Sequence, residues 1–130
     1  MKWGTAVMTT FYTACRIENH VDRRRFVEVP YVLVDTDSET TWIARRLLDG
    51  AGITPEKRRS FLLPGGQQAM RDVGSAVIRV GAEQTVEEVV FGEPGDLQIF
   101  GTRALIALKL RVDLVRKQLV PAAPKEAASG

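Results

Sequence analysis

The chain of 130 residues carries one cysteine and one histidine, and no long apolar run free of charge. Cys15 and His20 alone cannot build an intrachain disulfide framework, a paired-thiol redox centre or a multi-Cys/His metal site, so no metal and no other cofactor is expected. The longest uncharged apolar stretches, Val29–Val34 and Ala104–Leu108, fall far short of the roughly 18 residues that a membrane helix requires. Aromatics make up 7% of the chain, and neither Trp3 nor Trp42 has the basic and aromatic neighbours of a base-stacking surface. Neither sign of charge dominates: 18 Lys and Arg against 16 Asp and Glu leave a net +2, which argues for neither a nucleic-acid nor a membrane partner. Gly81, Gly92 and Gly95 fall in turns and not in a phosphate-binding spacing.

What is present has the proportions of one soluble globular domain, 45% hydrophobic and 26% charged. The domain is expected over residues 8–121. Residues 1–7, ahead of a second methionine at Met8, read as an N-terminal extension without the apolar segment of a signal peptide, so the expected location is cytoplasmic. Residues 122–130 contain no large apolar side chain and read as a disordered tail. Acid gathers in the middle: residues 35–102 sum to −4, while 1–34 sum to +2 and 103–130 to +4.

The hydrophobic periodicity is mostly two. Phe11, Thr13, Cys15 and Ile17 share one face of a strand over Met8–Ile17, and a turn over Glu18–Arg25 leads to a second strand, Phe26–Val34, in which Pro30 marks an edge or a bulge. Thr41 is expected to cap a helix over Trp42–Asp49, closed by Gly50 or Gly52. Arg58–Leu63 and Gln67–Arg71 flank Pro64-Gly65-Gly66, a hairpin signal with a mobile tip. Strands follow at Val73–Val80, Val86–Phe91 and, after a turn cluster at Gly92–Asp96, Leu97–Phe100. Thr102 is expected to cap a helix to about Lys109, with Leu105, Ile106, Leu108 and Leu110 in the core, before strands at Leu110–Val115 and Gln118–Val120. The count is seven or eight short strands and two small helices, an all-β chain built as a mainly antiparallel barrel or sandwich.

Carboxylate chemistry is what composition leaves, and one place concentrates it. In Val32-Leu33-Val34-Asp35-Thr36-Asp37-Ser38 an apolar strand runs directly into acidic and hydroxyl residues. Taken alone, this is a strand-ending Asx turn. Taken with the helix ending Leu47-Leu48-Asp49-Gly50-Ala51-Gly52-Ile53, the Gly-Gly hairpin and Leu97-Gln98-Ile99-Phe100-Gly101 before a short helix, the order and spacing resemble the bacterial single-domain retropepsin-like aspartic proteases over about residues 8–121. The resemblance implies a closed β-barrel with two short helices and a flap hairpin. It implies Asp35 as the catalytic residue, with Thr36, Asp37 and Ser38 in the active-site loop and Thr36 bracing the partner loop. Pro64, Gly65, Gly66 and Gln67 would form the flap tip over a bound peptide. Ile99, Phe100 and Gly101 would support the catalytic loop.

Such chemistry needs two carboxyl groups sharing one proton, because like charges about 3 Å apart cannot both ionise. The chain holds Asp-Thr once, so the resemblance implies an obligate homodimer that contributes one Asp35 from each copy and hydrolyses an extended peptide or protein substrate. The family pattern continues with glycine where this chain has Asp37. An alternative expectation is therefore a catalytically impaired, peptide-binding member of the same fold. A Cys15–His20 nucleophile pair is disfavoured; a core thiol and a surface imidazole are expected instead. Arg23-Arg24-Arg25 and Lys57-Arg58-Arg59, interleaved with acids, are expected to be solvated faces.

Overall fold

The computed structural model describes residues 11–122. Trp3, Met8, the expected extension at 1–7 and the tail from 123 onward lie outside the described residues. Strands dominate: β1 (Phe11–Glu18), β2 (Phe26–Val34), β3 (Thr41–Ala44), β4 (Lys57–Leu62), β5 (Gln68–Val80), β6 (Glu83–Gly92), β7 (Ile99–Phe100), β8 (Leu110–Asp113) and β9 (Gln118–Pro121). Two six-residue helices, α1 (Arg45–Gly50) and α2 (Thr102–Ala107), complete the described chain. The all-β expectation holds.

Seven strands form one sheet in the order β1-β2-β7-β3-β6-β5-β4, and β1 also pairs with β5 over Arg16–Glu18. Most pairs are antiparallel. The two exceptions, β2 with β7 and β3 with β6, are parallel and flank the loop that follows Val34. β8 and β9 form a separate two-stranded sheet. Between Thr13 and Cys15 of β1 the register of β2 jumps from Val32 to Val29, so Pro30 and Tyr31 together oppose Ala14. This is the bulge that a proline without a ladder donor suggests.

Alternation puts Phe11, Cys15 and Ile17 of β1 inward, where they join Val29, Val32, Val34, Ile43, Ile78, Phe91 and Phe100 in the principal core. Burial pushes the Cys15 thiol up to about 12, with the Glu28 charge adding to the effect. His20 is exposed.

Several expected boundaries move. The helix expected from Trp42 begins at Arg45, because Thr41–Ala44 is claimed by the slot between β6 and β7, where Trp42 pairs with both Val90 and Ile99. Thr41 therefore caps nothing, and Ala44 precedes the helix without a side-chain cap. The segments 67–71 and 73–80 are one strand; Asp72 stays in it because Arg45 and Arg58 pair with its carboxylate. β6 starts at Glu83 because its polar first half still pairs with β5. The strand expected at 97–100 shrinks to Ile99–Phe100. Gly101, not Thr102, is the residue preceding α2, and Ile106 is 75% exposed instead of in the core. Asp113 accepts the N–H groups of Val115 and Arg116 and ends β8 in a turn two residues early.

The basic runs are exposed for the most part, yet they are paired: Arg23 with Glu18, Arg24 with Asp22, Arg58 with Asp72, and Lys57 and Arg59 with Glu88. Glu18, expected in a turn, is a 3% exposed carboxylate ending β1. Burial alone would raise its pKa. Hydrogen bonds from Arg79 at 2.9 Å and from Arg23 outweigh that and hold it below the usual carboxylate range.

Candidate active site

The loop after β2 is built by backbone hydrogen bonds from three elements. Leu33 N–H donates to Gln98 O at 2.9 Å and Asp35 N–H to Phe100 O at 3.3 Å, which extends the parallel β2–β7 pairing to the last residue before the turn. Asp37 N–H donates to Asp35 Oδ1 at 2.9 Å and Ser38 N–H to Asp35 O at 3.2 Å, so the Asx turn expected from the sequence is present and holds one carboxylate oxygen. Ser38 Oγ donates to Thr40 O at 2.9 Å.

Helix α2 docks against this loop without a side-chain cap. Thr102 N–H donates to Ser38 O at 2.8 Å and Arg103 N–H to Glu39 O at 3.1 Å, so two of the unpaired donors that open every helix are spent on the loop carbonyls. The approach demands glycine at position 101. A Cβ there would lie 2.5 Å from Thr40 O and 2.6 Å from Glu39 O, both backbone atoms. Gly101 N–H in turn donates to Thr41 Oγ1 at 3.1 Å in a buried bond. Ile99, Phe100 and Gly101 thus stand behind and beside the loop, with Phe100 fully buried.

Across from the loop, β4 and β5 form the hairpin expected around Pro64-Gly65-Gly66. Gly66 N–H donates to Leu63 O at 3.0 Å and Leu63 N–H to Gln67 O at 2.7 Å. Gly65 (φ 96°) and Gly66 (φ 88°) supply the positive φ angles, with Pro64 at the position ahead of them that a type II turn favours. A small second core of Trp42, Val73 and Val90 underlies the hairpin stem, joined by Phe61, Leu63 and Ile99. Trp42 and Phe61 meet edge to face with centroids 5.0 Å apart.

Between loop and hairpin lies a cleft of about 520 Å³. Asp35, Asp37 and Ser38 line one side, Leu62, Leu63 and Pro64 the hairpin side, and Trp42, Ile99 and Gly95-Asp96-Leu97 the walls. Of the residues singled out in the sequence, Asp35, Asp37, Ser38, Pro64 and Ile99 meet here. Thr36 is exposed beside the cleft, Gly65, Gly66 and Gln67 extend beyond it, and Phe100 and Gly101 act from behind.

Of the cleft walls the sequence marks only Ile99; its patterning puts Trp42 in a helix and Gly95 and Asp96 in a turn, with no sign that they border a cavity. Gln98 was also missed: its Oε1 accepts Ala44 N–H at 3.0 Å and its Nε2 donates to Tyr31 O at 3.3 Å, tying β3 to β2. A glutamine between two apolar strand residues, Leu97 and Ile99, was the available signal. Asp96 is held below the usual range by its hydrogen bonds from Arg71. Among the described residues no group of three or more His, Cys, Asp or Glu is arranged to hold a metal, and no helix is long and apolar enough to cross a membrane. The chain matches no model of a known protein family and no curated protein.

Proposed function

We propose that the chain is an aspartic endopeptidase of retropepsin-like fold that hydrolyses peptide bonds as a homodimer. The observation that carries this reading is the cleft itself: a strand-end carboxylate, Asp35, and a glycine-tipped hairpin, Leu62–Pro64, border the same cavity from opposite sides. The pairing of β1 with both β2 and β5 supports taking the sheet as a closed barrel. An extended peptide enters between loop and flap and pairs its backbone with them as an added strand. Water lying between Asp35 and its symmetry mate loses a proton to the ionised member as its oxygen bonds to the scissile carbonyl carbon and the protonated member donates to the carbonyl oxygen. Collapse of the tetrahedral intermediate then breaks the C–N bond, the amine leaving with a proton from the dyad. Asp37 N–H occupies one oxygen of Asp35 and orients the carboxylate; the Thr36 hydroxyl is exposed and free to brace the partner's loop.

Incubation with a diverse peptide mixture between pH 4 and 7 tests this. Asp35→Asn is expected to remove about 1,000-fold or more of the cleavage, since no other group on the chain substitutes for a dyad member. Cleavage that survives in Asp35→Asn refutes the proposal.

A second reading follows from Asp37 lining the cleft where the family pattern has glycine: a peptide-binding protein of the same fold without catalysis. Its signature is a silent parent chain with retained peptide binding, and proteolysis that emerges in Asp37→Gly.

A further inference from the structure

Ion pairs join the stem of the flap to the opposite wall of the cleft, and they stop at one level. Arg71 lies on the same face of β5 as Val73, a member of the small second core. Its guanidinium donates through Nε to Asp96 Oδ2 at 2.7 Å and through Nη2 to Asp96 Oδ1 at 3.0 Å, a bidentate pair whose side chains are 15% and 11% exposed. Asp96 Oδ2 also accepts Glu93 N–H at 2.8 Å, so the same carboxylate closes the Glu93–Asp96 turn that carries the cleft wall. The next residue, Asp72, points to the other face of β5 and takes Arg45, whose Nε reaches Glu93 Oε2 at 2.9 Å. Two bridges therefore leave adjacent residues of β5 and close on the two ends of one four-residue turn. On β4 the last charged contact is Arg59, paired in register with Arg71. Beyond that level the hairpin, residues 60–70, is held by its own ladder and by the packing of Phe61 and Leu63.

We propose that Arg71 and Asp96 are positioning residues for peptide binding: their pair is the pivot above which the hairpin tip lifts, and it keeps Leu97 on the cleft wall while the tip moves. This rests on the reading of the cleft as a peptide site. Both wall and flap touch the peptide before and during reaction alike, so loosening them weakens binding without altering the chemical step. Arg71 itself does not line the cleft, which separates its effect from direct substrate contact.

The experiment uses the full chain with Trp3→Phe, which leaves Trp42, 8% exposed and lining the cleft, as the remaining tryptophan. Arg71→Met and Asp96→Asn are each expected to raise KM for a cleaved peptide about ten-fold with kcat changed less than about two-fold, the size of one charge-assisted pair. The double variant is expected to be no worse than either single, and Arg71→Lys to recover part of the loss. Acrylamide quenching of Trp42 is expected to rise about two-fold in both single variants, because the wall turn is released. Unchanged KM and quenching in Arg71→Met overturn the pivot, as does a fall in kcat that accompanies the rise in KM. Should Arg71→Met not fold, Arg71→Lys and Asp96→Asn carry the same comparison. A parent chain with no Asp35-dependent cleavage sinks the peptidase reading alone; the quenching series then decides the pivot by itself.

Discussion

The two apolar cores of this chain are held by different forces. The principal core gathers eighteen buried residues from β1, β2, β3, β5, β6, β7, both helices and the residues just after them, Ala51, Ile53 and Leu108. The second, under the β4–β5 hairpin, has three buried members, Trp42, Val73 and Val90, and the partly buried side chains of Phe61, Leu63 and Ile99. Around the smaller core, arginines and carboxylates take over: Arg71 with Asp96, Arg45 with Asp72 and Glu93, Lys57 and Arg59 with Glu88. Apolar burial carries no charge to screen or titrate, whereas partly exposed ion pairs weaken as salt screens them and as acid protonates their carboxylates. The cleft thus sits on the half of the molecule where ion pairs carry more of the support, while the scaffold behind it depends mainly on apolar burial.

The sharpest test of this contrast is a pair of truncations. Phe91→Ala, which opens a cavity in the principal core, is expected to cost about 3–5 kcal/mol by chemical denaturation, and Phe61→Ala about 1–2 kcal/mol because its ring is only partly buried and gives up one edge-to-face contact. Equal losses would erase the distinction. Gly101→Ala comes next, at about 1–3 kcal/mol, because its Cβ meets two backbone oxygens of the 38–40 loop and the loop must shift. Its effect should fall on the cleft as well as on the melting temperature. The smallest effect concerns acid. Asp96 and Glu18 are held below the ordinary carboxylate range in the folded chain, so the unfolded chain binds more protons as pH falls through about 4. The stability they supply is present above that value and lost below it. Melting temperature followed from pH 6 to 3 should fall, and Glu18→Gln should flatten the slope; a slope unchanged in that variant would show that Glu18 is not among its causes.

The parts of the fold written locally were legible in advance. Alternation marks β1, a β-rich run marks β2 with Pro30 at an edge or bulge, and Pro64-Gly65-Gly66 marks the hairpin through a turn whose φ angles few other residues adopt. Asp35 stands out for the same reason, as a carboxylate at a strand end, whereas Gly101 is marked only by the family resemblance. The errors share a different origin. Trp42 belongs to a strand because β6 and β7 leave a slot on either side of it, and Asp72 stays in β5 because Arg45 arrives from elsewhere in the chain. Glu18 looked like the start of a turn because its arginine partners include Arg79, 61 positions away. Two of the cleft's walls, at Trp42 and Asp96, depend on such long-range pairing, so the loop at Asp35 could be named before the cavity that surrounds it.

The lone thiol, protonated at neutral pH and sealed beneath the first strand, also has a practical side. Because Cys15 will not compete for maleimides in the folded chain, a cysteine introduced at Gln67 would take a spin label or fluorophore by itself, with the native residue left in place. Pulsed-resonance measurements would then test the proposed homodimer itself: a defined distance between two such labels is expected if two copies pair, and none if the chain is monomeric.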